Sequence, residues 1–388
     1  MVNMNDKQKE LLQKLIGYRR ELHKYPELSM KEYETTKRIK NWLRENNIDV
    51  LDLPLEVGVV AEIKGEHPGK TIALRADIDA LPINEKTGFD FTSVNAGVMH
   101  ACGHDFHTSG ILGAAILLNS RKSEMHGNVR IIFQPAEENG EGAKFICKKD
   151  ILNGVEAIFG MHNRPDLPVG TIGIKSGSLM ASVDRFEINI IGVGGHAGMP
   201  DRCIDPIVIS SQVISAMQTI VSRSVNPISD VVISVTRIQS GNTWNVIPDR
   251  AEMEGTVRTF QNNMRDEIKN SMKNTAEGVA EALGAKIEFK WYSYLSVLNN
   301  DARFEKLCIE TAEEIGCRSV KAQKNLGGED FSFYGSIVPS FFVWMGVDGT
   351  AEWHRPSFNL KEAALIHAAK YFSNLSIKVL KGYSENNI

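Results

Sequence analysis

Met99-His100-Ala101-Cys102-Gly103-His104-Asp105-Phe106-His107 sets one thiol, three imidazoles and a carboxylate within nine positions. Thiolate sulfur and neutral imidazole nitrogen are ligands that borderline transition metals prefer, and a neighbouring carboxylate either binds the ion or orients a histidine. Cys102 alone would read as a small buried hydrophobe. The cluster makes a metal the first hypothesis. Directly after it, Thr108-Ser109-Gly110-Ile111-Leu112-Gly113-Ala114-Ala115-Ile116-Leu117-Leu118 is an apolar run that reads as a buried helix, with glycines allowing close packing. A polar cluster that opens a buried helix is positioned for a site.

Outward from this stretch, four apolar segments have the length of strands. Thr71 to Ala76 runs into Asp77 and Asp79, and Asn128 to Phe133 runs into Gln134-Pro135-Ala136-Glu137-Glu138. Ala157 to Gly160 runs into Met161-His162-Asn163, and Phe341 to Gly346 is followed by His354. Helical segments separate the first three. Carboxylates and imidazoles are thereby delivered to the C-terminal ends of buried strands, the crevice where open α/β sheets keep their sites. Asp77 and Asp79 read equally well as a solvated turn, whereas Pro135 and the preceding strand fix Glu137 and Glu138 for a site.

Upstream, Asp6 to Asn46 reads as two amphipathic helices around a break at Tyr25-Pro26. His23 and Glu27 are read there as structural. From Val183 the pattern changes to an alternating strand, a helix over Asp205 to Ser222, alternating strands over Val231 to Ile238 and Ala251 to Phe260, a helix from Asn262 to Leu283 and a strand from Lys286 to Trp291. This β-α-β-β-α-β order is that of a ferredoxin-like unit. The expected organisation is therefore an α/β domain over 1–182 and 296–388, interrupted by an α+β domain over 183–295. The last helix, around Lys361 to Leu380, covers the sheet.

Length and composition agree with that division. The chain of 388 residues exceeds what one core usually supports, and 42% hydrophobic with 24% charged residues is globular. A net charge of -4, with no basic stripe, argues against a nucleic-acid partner held by charge. Met1 to Leu15 is charged and has no apolar signal core, and no apolar run reaches a membrane span. Cys102, Cys147, Cys203, Cys308 and Cys317 are odd in number and widely spaced, which suggests free thiols in a reducing compartment. A cytoplasmic protein with no membrane partner is expected.

If Cys102, His104, Glu138, His162 and His354 bind metal, five ligands exceed one closed tetrahedral zinc site and suit two ions sharing a bridging group. Cys102 could be that bridge. Two ions about 4 Å apart acidify a bridging water and polarise a carbonyl together. Glu137 and Glu138, read as neighbours in an extended segment, point in opposite directions, so one binds metal and the other serves as general base. Their order alone does not say which. Gly194 to Pro200 with His196, Asn245-Val246-Ile247-Pro248, and Gly327-Gly328-Glu329-Asp330-Phe331 read by themselves as loops.

Together these motifs resemble the M20 metallopeptidase and amidohydrolase family, in the subgroup of aminoacylases, hippurate hydrolases and indole-acetyl-amino-acid hydrolases. Arg19 to His23 with Pro26-Glu27, Arg75 to Pro82, Met99 to His107, Gln134 to Glu138, Gly160 to Asn163, Gly194 to Pro200, Asn245 to Pro248, Glu329 to Phe331 and His354 carry the resemblance, nearly along the full length. It implies a mixed central sheet flanked by helices, like that of zinc exopeptidases, and an inserted lid and dimerisation domain. It implies two divalent ions, manganese or zinc with cobalt or nickel as substitutes, on Cys102, His104, Glu138, His162 and His354. Glu137 matches the catalytic base and Asp79 an orienting carboxylate. His196 and Asn245 match lid residues that reach the partner's site in a homodimer, or in a tetramer of such dimers, and steady the oxyanion. Asp77 stands where the family's carboxypeptidases have a first histidine ligand, Cys102 where they have a bridging carboxylate, and Gly328 where the subgroup often has serine.

The expected activity is metal-dependent hydrolysis of N-acyl-L-amino acids. N-acetyl-diaminopimelate deacetylation and small-dipeptide hydrolysis are rivals within the class. A non-catalytic metal- or peptide-binding protein is the rival outside it, and an unliganded base argues against that. A redox role for Cys102 lacks a nearby second cysteine.

Overall fold

The computed structural model describes residues 5–385 and 387 of the chain. Residues 1–4, the start of the charged N-terminal stretch, lie outside the described residues. In chain order the first part comprises α1 (Asp6–Lys24), α2 (Tyr33–Glu45), β1 (Asp49–Val50), β2 (Val59–Lys64), β3 (His67–Asp77), α3 (His104–Asn119), β4 (His126–Gln134), α4 (Gly142–Cys147), β5 (Val155–Arg164), β6 (Thr171–Ile174) and β7 (Gly177–Met180). The middle part holds β8 (Val183–Ile191), β9 (Gly195–His196), α5 (Pro206–Thr219), β10 (Val231–Ser240), β11 (Val246–Ile247), β12 (Arg250–Thr259), α6 (Met264–Ala282) and β13 (Lys286–Leu295). The chain ends with β14 (Leu298–Asn300), α7 (Glu305–Glu314), β15 (Arg318–Lys321), β16 (Ser340–Gly346) and α8 (Ala364–Ser384). It divides into two compact units, residues 1–179 with 299–323 and 330–388, and residues 180–298 with 324–329.

The first unit is built on an eight-stranded mixed sheet in the order β1-β2-β4-β3-β5-β16-β6-β15. Its centre, β4-β3-β5-β16, is parallel, so four strands end along one edge. Strand alternation divides β3 between two faces: Ile72, Leu74 and Ala76 join the core that also takes in Leu15 and Leu22 of α1, Ile111 and Leu112 of α3 and Ala368 and Phe372 of α8. Arg75 is buried on the opposite face. The middle of helix α3, Gly110 to Ala115, is apolar on all sides because it is buried on all sides. Gly110 and Gly113 admit its neighbours: a Cβ at Gly113 would lie 2.7 Å from a Leu15 methyl and 2.8 Å from the Ala369 methyl.

The expected helix after the cysteine-histidine cluster begins earlier, at His104, so that His104, Asp105 and His107 belong to its first two turns. Strand β5 likewise continues to Arg164, which puts His162 within the strand rather than beyond it. Parallel pairing with β16 extends through His162 and Arg164 and holds the strand straight to that point.

The second unit is a four-stranded antiparallel sheet in the order β10-β12-β8-β13. Numbered within the unit, that is the 4-1-3-2 order of a ferredoxin-like fold read from its other edge. Inward residues of β8 and β12 such as Phe186, Ile188, Met253 and Val257 meet Ile209 and Val213 of α5 and Ile268 and Met272 of α6. Among the described residues no helix is long and apolar enough to cross a membrane.

Candidate metal centre

Each chemical group reaches the parallel edge of the first unit by a local device. Asp77 ends β3, and Asp79 follows two residues on. Cys102 and His104 flank Gly103, which precedes α3 at φ +81°; a Cβ there would also fall 2.5 Å from the Asn163 amide nitrogen, so glycine is required twice over. Glu137 and Glu138 sit in a turn after β4, entered through Ala136 at φ +56°. They are not in an extended segment, so the expected strand-like alternation is not what parts them; the turn is. His354 is also left-handed, at φ +61°, and its N–H donates to the Ala101 carbonyl at 2.9 Å, tying the loop after β16 beside Cys102. Left-handed backbone at residues with side chains is strained and concentrates at functional sites.

Cys102, His104, Glu138, His162 and His354, far apart in sequence, converge here. Cys102 Sγ lies 3.3 Å from His162 Nε2. His104 Nε2 is 3.8 Å from Glu138 Oε1 and 3.9 Å from Glu137 Oε2, and His354 Nε2 is 3.6 Å from Glu138 Oε2. Among the described residues five groups of three have ligand atoms within 4.8 Å of one another, and two of them, Cys102-His104-His162 and Cys102-Glu138-His354, share Cys102; the others are Asp77-His104-His107, His104-Glu137-Glu138 and Glu137-Glu329-Asp330. His104 Nε2 and Glu138 Oε1 are buried without a hydrogen-bond partner. Buried polar atoms are nearly always satisfied, and a mixed sulfur, nitrogen and oxygen set aimed at one point fits a pair of borderline divalent cations.

Electrostatics favour the same reading. Burial and the neighbouring His107 hold the His162 pKa well below the usual imidazole range, leaving a neutral ring with a lone pair. Burial and the charge of Glu138 push the Cys102 thiol well above its ordinary value, and burial pushes Glu138 up to about 7. Without a cation the Cys102 thiol keeps its proton, which a bound cation would displace.

A surrounding layer orients the ligands. His104 Nδ1 meets Asp79 Oδ1 at 3.1 Å, while Asp79 Oδ2 accepts from Ser29 Oγ at 2.7 Å and from the Glu138 N–H at 3.0 Å. Asp79 thus touches two candidate ligands at once. His162 Nδ1 bonds the Asn163 carbonyl at 2.8 Å, which turns Nε2 toward Cys102.

His107 and Asp105 of the cysteine-histidine stretch serve other ends. His107 Nε2 accepts from the Asn163 N–H at 2.8 Å, so Nδ1 carries the proton and donates to Asp77 Oδ1 at 2.6 Å; the ring has no lone pair left for metal. Asp105 points back to α1, accepting from Arg19 Nε at 2.9 Å and bonding His23 Nδ1 at 2.8 Å. His100 is buried, and burial lowers its pKa to about 4. His23 proves structural, bridging Asp105 and, at 3.1 Å, Glu85. In the second unit His196 lies in β9, opposite Val246 of β11, and the Ala197 N–H donates to the Asn245 carbonyl at 3.1 Å, so His196 and Asn245 share one small ribbon.

Arg75, Gln134, Glu32, Asn163 and Ser29 support the cluster without having been singled out from sequence. A signal existed for Arg75: a lone guanidinium inside an apolar strand needs buried partners.

The sequence model of Peptidase family M20/M25/M40 matches residues 73–378. The chain is 55% identical over 369 residues to N-acetylcysteine deacetylase of Bacillus subtilis (strain 168), covering 95% of this chain and 97% of that protein. It is 44% identical over 387 residues to an N-acetyl-L-cysteine deacetylase of the same organism, covering 100% and 92%. Among solved structures, the Bacillus subtilis YXEP protein, described as a dinuclear metal-binding peptidase from the M20 family, superposes with a TM-score of 0.89 at 52% identity over 96% of this chain and 99% of that one.

Proposed function

We propose that this chain, which belongs to peptidase family M20/M25/M40 and is an amidohydrolase, hydrolyses N-acyl-L-amino acids, small N-acetyl and benzoyl conjugates included, to a carboxylate and a free amino acid. The convergence of two triads on Cys102, with His104 Nε2 and Glu138 Oε1 unpartnered beside them, carries the reading. Cys102, His104, Glu138, His162 and His354 would hold two divalent ions, manganese or zinc, with cobalt or nickel able to substitute. When bound, such ions polarise the amide carbonyl and acidify the attacking water.

Glu137, adjacent to the cluster and outside both triads on Cys102, takes the proton from that water as its oxygen adds to the acyl carbon. The same proton then passes to the departing nitrogen as the C–N bond breaks, so the amine leaves neutral and Glu137 is restored. Asp79 keeps His104 in one tautomer and fixes the Glu138 backbone. By family resemblance, His196 and Asn245 donate to the developing oxyanion from the partner subunit of a homodimer. Large exposed apolar residues on the second unit, such as Trp244 at 92% exposure, support pairing of copies. Five free cysteines support a reducing, cytoplasmic setting.

The test is release of free amino acid from N-acetyl, N-benzoyl and longer-acyl amino acids, N-acetylcysteine among them, by the metal-loaded enzyme. Turnover of at least one class is expected, and Glu137→Gln should lower kcat by about 10²–10⁴-fold with metal content unchanged. Full metal occupancy without hydrolysis across the panel would make this a binding protein.

A further inference from the structure

The acidic turn at Glu329-Asp330 supplies no member of the two triads on Cys102, yet Asp330 is buried at the back of the site. Its Oδ1 accepts from Arg75 Nη2 at 2.7 Å and from Gln134 Nε2 at 2.9 Å; its Oδ2 is 2.7 Å from the same Gln134 nitrogen and accepts from the Ala143 N–H at 2.8 Å. Arg75 spans the arrangement, donating through Nε to Gln134 Oε1 and through Nη1 to Asp77 Oδ2, both at 2.8 Å. Tyr334 braces it from outside, its hydroxyl donating to Gln134 Oε1 at 2.9 Å. Every one of these side chains is buried, so the network has one arrangement rather than many. From this fixed point the backbone N–H of Asp330 is directed at Glu137 Oε1, 3.4 Å away, while Glu137 Oε2 lies on the side of His104.

We propose that Asp330 is a positioning residue for Glu137: its side chain, pinned by Arg75, Gln134 and the Ala143 amide, holds its own backbone N–H against Glu137 Oε1 and so reserves Oε2 for the proton that moves. The inference rests on the reading of Glu137 as the base. A carboxylate held at one oxygen cannot rotate its other oxygen away from the reacting water, and small losses of such alignment are costly in rate. The 3.4 Å contact is long, as hydrogen bonds to catalytic groups often are before substrate binds. The network also explains why the turn is acidic. Arg75 is buried between Asp77 and Asp330, and removing either charge would take away a partner of a buried guanidinium.

The test is a double-mutant cycle on the metal-loaded enzyme with Asp330→Asn, Glu137→Gln and the double variant, measuring kcat, KM and bound metal per chain. Asp330→Asn should lower kcat about 10- to 100-fold with KM and metal content unchanged, and should cost little more once Glu137 is already Gln, because the group it positions is gone. An unchanged kcat in Asp330→Asn, the same loss in both backgrounds, or a loss of bound metal would each overturn the proposal. Glu137→Gln with full activity would instead remove the reading beneath it. If Asp330→Asn does not fold, Tyr334→Phe takes its place: a fall of roughly 2- to 5-fold in kcat at constant KM supports the link, and an unchanged kcat overturns it.

Discussion

Asp79 engages a ring nitrogen of one candidate ligand through Oδ1 and the backbone N–H of another through Oδ2. Asp79→Asn keeps the shape but no longer matches a donor on both sides, so His104 loses its fixed tautomer. A 10- to 100-fold loss of metal affinity or activity is typical when such a partner is removed, and metal titration of Asp79→Asn should show it. At this scale the sequence was only partly legible. It presented His100, His104 and His107 as equivalent imidazoles. What separates His107 from His104 is where each Nε2 finds a partner, the Asn163 amide for His107 and none for His104, whereas His100, with both ring nitrogens unpartnered, lies outside the groups of ligand atoms that cluster among the described residues. The Asn163 amide comes from β5, some sixty positions away in the chain, and no local pattern encodes it.

The turn after β4 is held from outside itself. Glu32, at the start of α2, accepts from the Ala136 N–H at 2.8 Å and so clamps the left-handed residue that aims Glu137 and Glu138. Burial, reinforced by the charge of Asp79, pushes the Glu32 pKa up to about 7. The folded state therefore holds its proton more tightly than the unfolded state does. Below the unfolded value, near 4.5, the group contributes no pH dependence; as pH rises from there to about 7, stability falls by up to about 3 kcal/mol and then levels off. Glu32→Gln retains an acceptor for Ala136 without the titration. Urea unfolding of the metal-free protein at pH 5 and pH 8 should show the wild type losing ground to Glu32→Gln by about 2–3 kcal/mol; parallel pH profiles would contradict the assignment. The elements themselves were far more legible than this clamp. Helical and alternating apolar spacing marked α1, β8, β12 and α6 to within a few residues. The N-terminal extension of α3 to His104 was not marked, because polar residues there are buried by tertiary contacts rather than by their own apolarity.

Across the molecule, carboxylates crowd one sheet edge. Asp77, Asp79, Glu137 and Asp330 are buried there, with Arg75 the buried guanidinium facing them. Two divalent cations would relieve that repulsion, and they bind the folded chain in preference to the unfolded one. Chelation should therefore lower Tm by roughly 5–10 °C, from a linkage of ~4 kcal/mol at a thousandfold excess over Kd. Manganese or zinc should restore it, with no change in far-UV circular dichroism because the apolar cores do not depend on the ions; a Tm indifferent to chelator and metal would speak against a cation in the cluster. From sequence alone came the α/β class and the ferredoxin-like order of the middle segment, since periodicity is a local property, while Cys102, His104, Glu138, His162 and His354 were proposed as ligands through the family resemblance. Only the tertiary structure decided that His107 is engaged elsewhere, that Glu137 and Glu138 part in a turn, and that Arg75 and Asp330 stand behind them. Hydrogen-bond partnership and burial are properties of pairs of segments distant in the chain, and they exist only once the chain has folded.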